Sequence, residues 1–153
     1  MENEYNQYQI FVDDLNLPDQ KAPDKYLIST LSGNTDYQKL LTIFLKIFPN
    51  EIDSEKAMSL RDLQVLDFES VFIAKLHQEV VGFLITGIIN EVGYISYLGV
   101  MVEHRSQGIA TSLLNLFTSY LKERNITKIR CKIRKDNKKT LGYVIFLGFQ
   151  PIL

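Results

Sequence analysis

Apolar positions recur along this chain with two periods, one of two residues and one of three to four, and they change over at turn-forming residues. Tyr8, Ile10 and Val12 alternate with Gln9 and Phe11, which predicts a short edge strand. Pro18 and Pro23 among acidic residues then read as a linker, so residues 1–24 are expected to form an acidic N-terminal extension and 25–153 one domain. Tyr26 to Thr30 reads as the first core strand. After the Ser32-Gly33-Asn34 turn, Asn34 or Thr35 can cap a helix whose stripe is Leu40, Leu41, Phe44, Leu45 and Phe48, with Pro49 beyond its end. Ser54 to Leu66 carries Leu60, Leu63 and Leu66 in helical register.

Val71 to Ala74 and Val80 to Ile85 flank the turn Leu76-His77-Gln78-Glu79, an arrangement that predicts a hairpin. Tyr94 to Val102 continues this meander after Asn90-Glu91. The next segment, up to Arg124, is amphipathic, with Ile109, Leu113, Leu116, Phe117 and Tyr120 on one face. Lys128 to Ile133 follows as a strand. Since a strand–helix–strand crossover gives parallel neighbours, this strand should run parallel to Tyr94–Val102 and make the sheet mixed. No internal repeat or low-complexity tract interrupts the pattern.

Composition adds limits. A chain of 153 residues with 46% hydrophobic content suits one packed globular domain. Its longest apolar stretch, Val80 to Ile89, is far shorter than the roughly twenty residues of a membrane helix. Met1-Glu2-Asn3-Glu4-Tyr5 lacks the cationic start of a secretory signal, so a cytoplasmic location is expected. Cys131 is the only cysteine, which leaves no intrachain disulfide and no cysteine-based metal cluster. It should face the core. No His, Cys, Asp or Glu spacing suggests a metal site. Net charge is −1 but polarised, acidic near the start and basic from Lys122 to Lys139. That basic run reads first as a solvated strand face and second as an attraction for an anionic ligand. Nucleic acid is not expected, because the chain as a whole is not basic and no aromatic residue interleaves the run.

The candidate chemistry lies in Arg105-Ser106-Gln107-Gly108-Ile109-Ala110, between the strand and the amphipathic helix. A strand turning sharply into a helix leaves the first N–H groups of that helix converging on one spot, with the positive end of the helix dipole behind them. An anion fits there. Gly108 permits close backbone approach and Ala110 is small. With Leu98-Gly99-Val100-Met101-Val102 before it and Lys128–Ile133, Asn137 and Leu147-Gly148-Phe149 after it, this order resembles the GNAT N-acetyltransferase superfamily. The stretch from Glu103 to Leu116 is similar to the aminoglycoside 3-N-acetyltransferase branch.

The resemblance implies an α/β (α+β) fold: a mixed, mostly antiparallel sheet with a central parallel strand pair that splays, and helices on both faces. It implies acetyl-CoA as cosubstrate, bound with its pantetheine arm between the splayed strands. Gly99 is a natural bulge residue there. Val100 and Val102 would bond the arm through their main chain, and Arg105, Gln107, Gly108, Ile109, Ala110, Thr111 and Asn137 would complete the cofactor site. The reaction would be direct transfer of acetyl to a primary amine of a small molecule or protein. The amine, with an ordinary pKa of about 10.4, must lose a proton. The N–H of Val100 is implied as oxyanion donor. Tyr97, with Ser96, Glu91 and Glu69, could supply the base or line the acceptor pocket.

Three departures from the family pattern matter. Where the family usually has the tyrosine that protonates the leaving thiolate, this chain has Val144, and Tyr143 stands one residue early, about 100° away around a helix. Tyr143 is therefore the candidate acid, with simple packing as the alternative. Where the aminoglycoside branch carries an Asp, this chain has Tyr97. The chain also stops at Leu153, where the family usually adds a last strand, so Tyr8–Val12 or a second subunit in a homodimer would have to cover that edge. Glu103 and His104 are expected to be solvated, and His77 exposed. A rival reading keeps the cradle but not the chemistry: a non-catalytic acyl-CoA-binding regulatory module.

Overall fold

The computed structural model describes residues 4–48 and 70–152; the helix expected over 54–66 and the candidate base Glu69 lie outside the described residues. Among the described residues seven strands form a single sheet in the order β2-β3-β4-β5-β6-β1-β7. They are β1 (Tyr5–Phe11), β2 (Leu27–Thr30), β3 (Val71–Leu76), β4 (Glu79–Ile89), β5 (Val92–Val100), β6 (Lys128–Arg134) and β7 (Gln150–Pro151). The described helices are α1 (Gly33–Ile47), α2 (Ile109–Glu123) and α3 (Lys138–Leu147).

Local chemistry accounts for most of these boundaries. His77 and Gln78 have φ of 50° and 72°, and Asn90 and Glu91 have 51° and 63°. Both pairs make the two-residue hairpin turn whose twist matches that of its flanking strands. Asn137 caps α3 by accepting the Thr140 N–H at 3.1 Å, and α3 ends where Gly148 turns left-handed at φ 104°. Helix α2 holds Ile, Thr, Ser and Asn at many positions, poor helix formers that each cost about 0.5 kcal/mol. Its inner face decides the matter. Leu113, Leu114, Phe117 and Leu121 have no exposed surface, and each such burial contributes about 1.5–3 kcal/mol.

Two clusters flank the sheet. On one face α2 and α3 pack Leu113, Phe117, Val144 and Leu147 against Ile129, Cys131, Tyr8 and Ile10. On the other face α1 packs Tyr37, Leu40, Ile43 and Phe44 against Val71, Ile73, Phe83 and Ile85. Leu45, expected in the α1 stripe, is exposed, and Tyr37 and Ile43 take the buried places. Asp36 is buried beside them and receives Lys75 Nζ at 3.3 and 3.4 Å.

Among the described strands only β5 and β6 run parallel, as the crossover through α2 requires. The first strand travels furthest. Tyr5 to Phe11 pairs antiparallel with Arg134 to Lys128, and its other side takes β7 at Tyr8↔Pro151 and Gln9↔Gln150. The sheet beyond β6 is therefore completed by β1, with a two-residue strand outside it.

Candidate functional site

The parallel pair sets the geometry of the site. β5 and β6 pair at only three positions, Gly93↔Ile129, Tyr94↔Arg130 and Ile95↔Cys131. On the opposite edge of β5 the register slips between Ile85 and Thr86, which face Tyr97 and Ile95, so Ser96 is the extra residue. The bulge expected at Gly99 thus lies three residues earlier. Gly99 is needed for another reason. A Cβ there would sit 2.8 Å from Cζ of Phe83 and 3.2 Å from Cδ1 of Ile47, so glycine makes room for the α1 cluster. Beyond Ser96, β5 stays on β4 while β6 stays on β1, and a gap opens between them.

Main-chain groups point into that gap. Met101 N–H donates to Val81 C=O at 2.8 Å, so by antiparallel alternation the peptide groups of Val100 and Leu98 turn away from β4. Leu98 was not singled out by the sequence, and only this alternation reveals it. Val100 C=O accepts a 3.0 Å bond from Arg105 Nε, which ties the strand end to the turn. Val102 does not continue the strand. It opens a 3₁₀ turn through His104 and is 68% exposed.

The turn into α2 is the segment expected to cradle an anion. Ser106 and Gly108 have φ of 63° and 83°, and Gly108 caps the helix. The first intrahelical bond runs from Ser112 N–H to Gly108 C=O at 3.0 Å, so the N–H groups of Ile109, Ala110 and Thr111 precede the ladder. The side chains of Ile109 and Thr111 are buried, which leaves the main chain as the face offered to a ligand. An anion such as a diphosphate fits this donor set.

A segment absent from the sequence-based expectation braces the cradle. Gln20 Nε2 reaches Ser106 C=O at 3.4 Å, and Ala22 N–H donates to Ser112 Oγ at 2.9 Å. A Cβ on Gly108 would lie 2.6 Å from the Lys21 carbonyl carbon. The buried Tyr26 places its hydroxyl 2.8 Å from His104 Nδ1 and 3.2 Å from Gln107 Oε1. His104 is therefore half-buried and bonded rather than solvated, while Glu103 is exposed.

The remaining candidates separate. Tyr97 joins the α1 side, its ring 4.8 Å from that of Phe44 and 5.4 Å from that of Phe48. Asn137 spends its side chain on the α3 cap. Tyr143 packs half-buried on the α2 cluster, and burial raises its hydroxyl pKa above the ordinary value. Val144 beside it is buried. Cys131 is 6% exposed, and burial pushes its thiol up to about 12. Among the described residues no helix is long and apolar enough to cross a membrane.

Comparison with known proteins gives one family and several structural neighbours. The model of the acetyltransferase (GNAT) family matches residues 37–149. A GCN5-related N-acetyltransferase from Sphaerobacter thermophilus superposes with a TM-score of 0.74 at 18% identity, over 97% of this chain and 48% of that one. The present chain thus spans about half the length of that protein. PaiA N-acetyltransferase from Thermoplasma acidophilum, in complex with coenzyme A, gives 0.62 at 18% identity, over 82% and 89%. The aminoglycoside N-acetyltransferase AAC(6')-Iy in complex with CoA gives 0.65 at 16% identity, over 82% and 88%.

Proposed function

The chain belongs to the acetyltransferase (GNAT) family, and from that premise we propose that it transfers the acetyl group of acetyl-CoA to a primary amine of a small molecule or protein. One observation carries the reading: the gap that opens at Ser96 leads directly to the helix start where Ile109, Ala110 and Thr111 present N–H groups outside the helical ladder. A long ligand with a diphosphate at one end and a peptide-like arm matches both halves.

In this reading Arg105, Gln107, Gly108, Ile109, Ala110 and Thr111 hold the diphosphate, and main-chain groups of Val100 and Leu98 receive the arm, with Val102 at its mouth. Bound acetyl-CoA supplies an activated acyl carbon. The Val100 N–H is the oxyanion donor. Tyr143, kept protonated by burial, is the acid for the departing sulfur, and Tyr97 borders the acceptor side. Asn137 acts indirectly, by fixing the start of α3 and hence the bearing of Tyr143.

Val144 is the observation that favours the second reading, a non-catalytic acyl-CoA-binding module, because an apolar buried side chain stands where the family usually has its acid. Aminoglycosides are a narrower version of the first reading, supported by the likeness of Glu103 to Leu116 to that branch. Titration calorimetry with acetyl-CoA, followed by thiol release across amines, peptides and aminoglycosides, tests all of these. Binding with release is expected. Binding without release would select the regulatory module, and no binding would overturn both.

A further inference from the structure

The two faces of the gap differ in kind. Ile95, Leu98 and Val100 of β5 and Ile129, Cys131 and Ile133 of β6 all belong to the α2 cluster, so that face is packed core. An acceptor can approach only over the opposite face. There Tyr94 and Tyr97 project from β5, and Arg130, Lys132 and Arg134 project from β6. Helix α1 covers Tyr97, but no residue of β6 or β1 joins its cluster.

Among the described residues the charge of that face is one-sided. None of β1, β5 and β6 contains an Asp or Glu. Arg134 is already neutralised, by Asp136 at 3.1 Å and Glu4 at 3.5 Å, and its bond holds the Asp136 carboxyl below the ordinary carboxylate range. Lys128 lies over the Phe11 ring at 5.7 Å. Arg130 Nε donates to the neutral Gln9 Oε1 at 2.7 Å, which aims the guanidinium without cancelling its charge. Lys132 is exposed, faces Gln7 across the strand pair, and makes no ion pair among the described residues. Arg130 lies at a paired position and Lys132 at the first position beyond the split, so both cations stand where the gap opens.

We infer that the acceptor is an amine carrying an anionic group, a carboxylate or a phosphate, which Lys132 and Arg130 bind beside the reacting nitrogen. This rests on the proposed transferase reading and narrows its substrate class. The same cations disfavour an ammonium nearby and so help keep the amine neutral, the form that attacks. They also set the face against polycationic acceptors, which need acidic partners.

Matched acceptors that differ only in the anion test this in the thiol-release assay: glucosamine 6-phosphate against glucosamine, and a peptide with N-terminal Glu against the same peptide with N-terminal Gln. The anionic member of at least one pair should have a kcat/KM at least ten times higher, and the pair that responds identifies phosphate or carboxylate as the group. Lys132→Glu should erase that preference and leave the KM for acetyl-CoA and the melting temperature unchanged. Equal or reversed preferences in both pairs, or a preference that survives Lys132→Glu, would overturn this inference alone. No thiol release from any acceptor would overturn the transferase reading and this inference with it.

Discussion

The Tyr26 hydroxyl oxygen lies 2.8 Å from Nδ1 of His104 and 3.2 Å from Oε1 of Gln107, and so joins the residue before β2 to both halves of the turn that enters α2. A phenol has one proton to donate. If it goes to Gln107, His104 must carry its own proton on Nδ1 and donate it to Tyr26. Replacing Tyr26 by Phe leaves both partners half-buried and unsatisfied, so Tyr26→Phe should cost about 1–2 kcal/mol in denaturant unfolding. It should also raise the KM for acetyl-CoA severalfold with kcat nearly constant; a change in kcat alone would place Tyr26 elsewhere in the mechanism.

Gly108 faces two demands at once, a left-handed φ of 83° and the Lys21 carbonyl carbon 2.6 Å from where a Cβ would stand. A left-handed backbone costs a residue with a Cβ about 1–2 kcal/mol, and displacing the brace adds to it. Gly108→Ala should therefore destabilise by at least about 2 kcal/mol in urea unfolding. Gly108→Glu adds a carboxylate at the proposed anion site and should abolish coenzyme A binding in calorimetry.

Burial raises the Tyr143 pKa, so its hydroxyl stays protonated across the neutral range and can serve as a donor. Tyr143→Phe should slow turnover by at least about tenfold if that proton reaches the leaving sulfur. An unchanged kcat would assign the proton to water and leave Tyr143 a packing residue.

Cys131 gives a pH signature. Its thiol is pushed up to about 12 in the folded chain, against roughly 8.5 in an unfolded one. Between those values the unfolded chain binds fewer protons than the folded one. The Cys131 contribution to stability is therefore constant below about pH 8 and falls as pH rises toward 12, by up to about 1.4 kcal/mol per unit. Cys131→Ala should flatten this part of the curve, and the native thiol should resist alkylation at pH 8.

What could be read from the sequence follows how local each feature is. Helices α1 and α2, the 71–89 hairpin and the parallel crossover come from periodicity and turn residues within a few positions of one another. The bulge does not. It is defined by the register of β5 against β4, and Ser96 carries no mark that singles it out, whereas Gly99 resembles a bulge residue but is small because Phe83 lies across from it. The peptide direction of Leu98 likewise depends on the Met101 to Val81 bond. Alternation shows that Tyr8 to Val12 is extended, but not that it lies beside β6. Tyr26 and the Gln20 to Ala22 brace reach the cradle only through contacts some eighty to ninety residues away in the chain. Pattern also marks Val102 as strand, because an apolar residue at a strand end looks the same whether the chain continues or turns.

The pairing of β1 with β6 also constrains the order of assembly. During synthesis β1 emerges well before its partner and can pair only after residues 128–134 have been made, and β7 comes later still. Until then the edge of β6 stays open, and β1 must wait as an unpaired extended segment at the cost of closing a very long loop. Residues 20–26 connect that late strand to the cradle, so affinity for coenzyme A should emerge only at the final stage of refolding. Stopped-flow refolding followed by cofactor binding would see this as a lag behind the formation of helical signal.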